Sequence, residues 1–142
     1  MTKKIKKARS PIESLPPCPN RPNCVSSQST DPRHAIEPLR YDIPISKAHQ
    51  KLLKILKNMP RTKIIKEKAN YIHAECRTRF LRFVDDLEFL VDDTDAIIHV
   101  RSASRVGYSD LGVNRKRVEQ FRREFETELA KSKEKDKTGK KR

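Results

Sequence analysis

From Ser46 onward apolar residues recur at helical spacing. Ala48, Leu52, Ile55, Leu56 and Met59 fall on one face, with Lys47, Lys51, Lys54 and Lys57 largely elsewhere. Ser46 is placed to cap this helix, and Asn58 and Pro60 end it. The period then changes to two. Ile65 alternates with Lys66; Ile72, Ala74, Cys76 and Thr78 alternate with Tyr71, His73, Glu75 and Arg77. Leu87, Phe89 and Val91 alternate with Asp86, Glu88 and Leu90, and Ala96, Ile98 and Val100 with Ile97, His99 and Arg101. This predicts four strands joined by short turns, an antiparallel meander. A closing helix over about residues 114 to 130 places Val118, Phe121, Phe125 and Leu129 on one face.

The expected fold class is therefore α+β: a four-stranded antiparallel meander sheet with two helices, in the order α-β-β-β-β-α. One sheet face is apolar and the other polar, so both helices pack on the apolar face and the polar face is left for function. Residues 10–45 hold Pro16, Pro17, Pro19, Pro22, Pro32, Pro38 and Pro44, which forbid a long helix or a central strand. They read as a Pro-rich extended arm, anchored by Val25, Ile36, Leu39 and Tyr41, ahead of an α+β core over 46–130. There is no internal repeat and no second domain, so a single domain covers about residues 16–130.

Turn position sets the register of the polar face. A turn around Asp93-Thr94 pairs Leu87 with Val100 and sets Glu88 beside His99 and Asp86 beside Arg101. A turn around Leu81-Arg82 sets Arg77 beside Asp86 and Glu75 beside Glu88. Two rows follow, Arg77-Asp86-Arg101 and Glu75-Glu88-His99; a slip of two residues in either hairpin keeps the faces but breaks the rows. The first row satisfies itself as a cross-strand ion pair. The second crowds two carboxylates, which need a proton, a cation or a neighbouring Arg or His. With His73 and Tyr71 further along, Glu75, Glu88, His99 and His73 are the weak candidates for a metal or for acid-base chemistry, as in a metal-dependent hydrolase, against the ordinary reading of a solvated charged face.

The link from strand to last helix carries the other candidate chemistry. Arg101 and Arg105 precede Gly107, Tyr108, Ser109, Asp110 and Gly112, with Arg115 and Lys116 just inside the helix. A glycine-containing loop feeding a helix N-terminus can receive an anion on its free N–H groups. The plainer reading is that the glycines supply positive φ, Ser109 or Asp110 makes a local turn, and Asn114 caps the helix. The spacing is neither a dinucleotide fingerprint nor a Walker loop.

Composition narrows this further. The net charge is +14, of which residues 1–9 and 131–142 each carry +5, leaving +4 for the middle. These ends read as disordered basic tails able to contact nucleic acid or an anionic surface without reading sequence, or as plain solubilising tails. Neither tail interleaves aromatic residues, which removes stacking platforms. No stretch is apolar enough to span a bilayer and no hydrophobic region follows the basic start, so the chain as written reads as cytoplasmic and monomeric. Cys18 and Cys24 can close a short disulfide where the compartment is oxidising, and stay thiols where it is not. Cys76 reads as an inert buried thiol. His34 and His49 look incidental.

The stretches CPNRPNCVSSQ (residues 18–28), DPRHAIEPLRY (31–41), RFVDDLEFLVDD (82–93) and VRSASRVGYSDLGVNRKRVE (100–119) resemble the family catalogued as domain of unknown function 1499, over about residues 16–128. Members occur in bacteria and plastid-bearing organisms, and many carry an export signal or membrane segments before the domain, which this chain does not show. The resemblance implies no activity. No G-x-S-x-G, H-E-x-x-H or C-x-x-C motif is present, and Ser102, Ser104 and Ser109 near His99 lack a base in contact and an oxyanion hole. The sequence calls for no cofactor and more for a binding or accessory module than an enzyme, with a small ligand or a protein as partner.

Overall fold

The structure, a computed structural model, describes residues 13–140, with 136–140 described through their backbone alone. The stretch 1–9 read as a basic tail lies outside the described residues. The elements in chain order are β1 (Cys24–Ser26), β2 (Leu39–Arg40), α1 (Ile45–Asn58), β3 (Thr62–Lys68), β4 (Tyr71–Arg77), β5 (Val84–Asp92), β6 (Ile97–Ser104) and α2 (Val113–Lys140).

The helix-meander-helix order is as the periodicities imply, but the sheet has six strands rather than four. β3, β4, β5 and β6 form the meander; β1 and β2 both add antiparallel to the outer side of β6, Cys24 opposite Ala103 and Leu39 opposite Ile98. Proline excludes a residue from the interior of a ladder, yet it leaves room for the proline-free pieces Cys24–Ser26 and Leu39–Arg40 to pair at an edge. At the opposite edge β3 carries a bulge between Ile64 and Lys66. The bulge turns Ile64, not Ile65, toward the core, and leaves Ile65 outside.

Both helices pack on the apolar sheet face. Ala48, Leu52, Ile55 and Leu56 from α1 and Val118, Phe121, Phe125 and Leu129 from α2 join Ile72, Ala74, Cys76, Leu87, Phe89, Ile98 and Val100 in one core. The rings of Phe89 and Phe121 meet at 4.6 Å between centroids. Each of the Val, Leu, Ile and Phe side chains contributes about 1.5–3 kcal/mol by burial. Val25, Ile36, Leu39 and Tyr41 fill the same core from the N-terminal segment.

Two helix ends differ from expectation. α1 begins at Ile45 with Pro44 in the cap position, its carbonyl receiving the Lys47 and Ala48 N–H groups, so Ser46 lies inside the first turn. The other end of the fold shows α2 continuing past Ala130 to Lys140. Lysine and glutamate are good helix formers, and Lys131 with Glu128 at 3.6 Å and Lys133 with Asp42 at 2.5 Å hold the extension.

Candidate functional site: the polar sheet face and its loops

Both hairpins are slipped by two residues from the expected register. Glu75 faces Asp86 and His73 faces Glu88, while Glu88 faces Arg101 and Asp86 faces Ala103. The rows Arg77-Asp86-Arg101 and Glu75-Glu88-His99 are therefore not formed, and His99 stands opposite Leu90. The cause is local turn chemistry. Asp92 Oδ1 accepts the Thr94 and Asp95 N–H groups and Ala96 takes φ 54°, which centres that turn one residue later. Thr78 closes the other turn with Phe83 from both backbone and hydroxyl, centring it one residue earlier.

Two clusters result. In the inner one, the Tyr71 hydroxyl donates to Glu88 Oε2 in a short hydrogen bond and Arg101 donates to Glu88 Oε1 at 3.0 Å. Leu15 packs on Tyr71 and Leu90, and Arg101 also donates to the Pro17 carbonyl at 3.3 Å. The N-terminal segment thus covers this part of the polar face, and burial with the bond to Glu88 pushes the Tyr71 phenol up.

The outer cluster is partly open to solvent. His73 Nε2 bonds Asp86 Oδ1 at 2.7 Å; Arg105 binds Asp86 through two bonds of 2.8 Å and Glu75 at 2.5 Å. Two directly opposed carboxylates, Glu75 and Asp86, are thus bridged by one guanidinium. Burial works to raise Asp86, but the bonds from Arg105 and His73 outweigh it and hold its carboxyl below the usual range. The same bonds, to Asp86 first and then to Glu75, push Arg105 up.

The loop after β6 is built for its own closure. Gly107 (φ 91°), Leu111 (φ 54°) and Gly112 (φ 84°) take left-handed backbone. Asp110, rather than Asn114, caps α2, its carboxylate accepting the Gly112 N–H at 2.8 Å and the Asn114 N–H at 3.1 Å. The helix start is thus occupied by a carboxylate of this chain. Ser109 Oγ accepts the Leu111 N–H. Arg115 donates to the Ala35 and Arg33 carbonyls, and Tyr108 and Arg77 stand exposed.

Sequence reasoning missed a buried polar hub behind this loop. Asn114 bonds Asp110, the Asn23 carbonyl and Ser104 through its amide nitrogen, and its oxygen accepts from Ser102 and Arg117. Arg117 in turn pairs with Asp85 at 2.8 Å. The signal was present: Asp85, Ser102 and Ser104 are polar residues at core-facing strand positions. His34 Nδ1–H donates to the Cys24 carbonyl at 2.9 Å. Cys18 and Cys24 are joined in a disulfide, and Cys76 is a free buried thiol that burial pushes up. His99 bonds Ser27. Among the described residues no group of three or more His, Cys, Asp or Glu is placed to hold a metal ion, and no helix is long and apolar enough to cross a membrane.

A single antiparallel sheet with two helices on one face, and a disulfide-tied segment laid over the other, defines the class: a small α+β domain with a charged open face. The chain belongs to the family described as protein of unknown function (DUF1499), whose model matches residues 14–125. No curated protein matches the chain.

Proposed function

We propose that the chain is a non-enzymatic binding or accessory module for a small anionic ligand, received on the open part of the polar sheet face. The observation that carries this reading is the outer cluster: His73, Asp86, Arg105 and Glu75, from two strands and a loop, are fixed by direct bonds yet remain partly exposed. Beside it on β3, Lys63 lies opposite Glu75 and Lys66 opposite His73, so both are on the same face. Both lysines are exposed, and among the described residues neither has a carboxylate partner. A carboxylate or phosphate would be met by Lys63, Lys66 and His73, while Arg105 neutralises the two acids beneath.

The test is the thermal unfolding of the full chain with citrate, inorganic phosphate and sugar phosphates. A ligand at about a hundred times its Kd stabilises the folded form by about 2.7 kcal/mol. At least one anion is expected to raise the melting temperature, and Lys66→Ala and Arg105→Ala to remove most of the shift. No shift with any of them, or equal shifts in the variants, contradicts the reading.

A further inference from the structure

Seven large apolar side chains stand exposed at one end of the sheet. The strands alternate in direction, so the turn after β4 (residues 78–83) and the loop after β6 (105–112) emerge side by side; the Arg105 N–H donates to the Val84 carbonyl at 3.2 Å. At their tips Phe80 is 86% exposed, Leu81 72%, Leu111 88% and Tyr108 69%. Val106, Phe83 and Val113 are exposed beside them, and of the large apolar residues exposed among the described residues only Ile65 lies elsewhere. So concentrated an apolar surface marks a contact surface rather than scatter.

The charge around it has one sign. Arg77, Arg79, Arg82 and Lys116 are exposed, and among the described residues none pairs with a carboxylate. The Arg79 guanidinium lies 5.5 Å from the Phe80 ring centroid. The carboxylate within these two loops, Asp110, is occupied by the start of α2, and Arg105 is turned onto Asp86 and Glu75. At the opposite end of the sheet the β5–β6 turn is the exposed Asp93-Thr94-Asp95, beside the β3–β4 turn that follows Lys68. The apolar end therefore offers apolar tips and unpaired cations together, the combination that suits a negatively charged surface.

We propose that this end is an interfacial docking surface for a bilayer rich in anionic phospholipid: Phe80, Leu81 and Leu111 enter the headgroup region while Arg77, Arg79, Arg82 and Lys116 meet lipid phosphates. Aliphatic tips decide for lipid over nucleic acid, since leucines offer nothing to a base stack but gain from the acyl boundary. The proposed contacts use none of the side chains of the outer cluster, although Arg105 begins the second loop.

The chain contains no tryptophan, so Phe80→Trp in the full chain places a single indole at the tip, and Thr94→Trp, in a second protein, places one at the far end. Each is mixed with vesicles of phosphatidylcholine alone, with vesicles containing about a third phosphatidylglycerol, and with a single-stranded oligonucleotide. The expected result is a blue-shifted emission from the tip indole, quenched by acyl-brominated lipid, on anionic vesicles only, with the far-end indole unmoved. Vesicle partitioning should fall by about tenfold or more in Leu81→Ser/Leu111→Ser. It should fall by about fivefold per residue in Arg79→Ala and Arg82→Ala. Emission of the Phe80→Trp protein unchanged by anionic vesicles overturns the proposal. So does equal movement in the Thr94→Trp protein, partitioning unaltered by the loop variants (binding through the basic ends), a response to the oligonucleotide but not to lipid, or a lipid-free blue shift that grows with protein concentration (self-association).

Discussion

Replacing Arg117 by methionine should be among the most damaging single changes in this fold, and far worse than removing the more exposed Arg105. Arg117 joins Asp85, whose side chain is 2% exposed, at 2.8 Å, and also donates to Asn114 Oδ1 at 2.7 Å and Ser102 Oγ at 3.1 Å. Without it a carboxylate remains inside the core with no countercharge, a loss of about 3–5 kcal/mol. In urea, with a slope of about 2 kcal/mol per molar, the midpoint should fall by about 2 M. Arg105→Ala breaks a partly solvated network and should cost about 1 kcal/mol or less. The double change Asp85→Leu/Arg117→Met removes both charges, and Asn114 Oδ1 keeps its bond from Ser102. It should therefore recover most of the loss. Equilibrium unfolding of the four proteins at neutral pH decides the matter. A single Arg117 variant no weaker than the Arg105 one, or a double variant weaker than the single, would refute the reasoning.

Three further outcomes follow from the same geometry. Asp86 is held below its ordinary value of 3.8, so its contribution is present above that pH and is lost as pH falls through the folded value; the fall of the urea midpoint over that acid window should be smaller in Arg105→Ala, whose Asp86 returns toward the ordinary value. Reducing the Cys18–Cys24 bond, which closes a loop with a sequence separation of 6, should lower stability by about 2 kcal/mol on the chain-entropy account, read as a drop in melting temperature with dithiothreitol. Cys76, buried and with its thiol pushed up, should stay unreactive to an aromatic disulfide reagent until urea unfolds the chain.

Much of the fold was legible because burial writes itself into periodicity. The stripes Leu52-Ile55-Leu56 and Val118-Phe121-Phe125, and the alternation through Ile72, Leu87 and Val100, define which faces are buried whatever the register. Register itself was not legible: a turn recentred by one residue moves the pairing by two, so every face survives and every cross-strand row changes. Asp92 could have signalled this, since an Asp heading Asp93-Thr94-Asp95 can capture the amides two and three residues on. The expected pair Glu75-Glu88 does not form; Glu75 faces Asp86 instead, with Arg105 bonded to both. β1 and β2 were hidden because strands of three and two residues carry no readable period. The Asn114 hub was signalled only by Asp85, Ser102 and Ser104 at core-facing positions; its link to the Asn23 carbonyl, remote in sequence, carried no pattern.

The open cluster around Arg105 is proposed as the working surface, and the imidazole resonances of the full chain test this most directly. The chain has four histidines: His73 in the cluster, His34 buried behind the disulfide, His49 on α1 and His99 bonded to Ser27. Titration with citrate and inorganic phosphate should move the His73 ring signals saturably and leave His34 in place, and Lys66→Ala should weaken the response. A His73 signal that stays fixed while all anions are added, or one that moves no more than His34, contradicts the account.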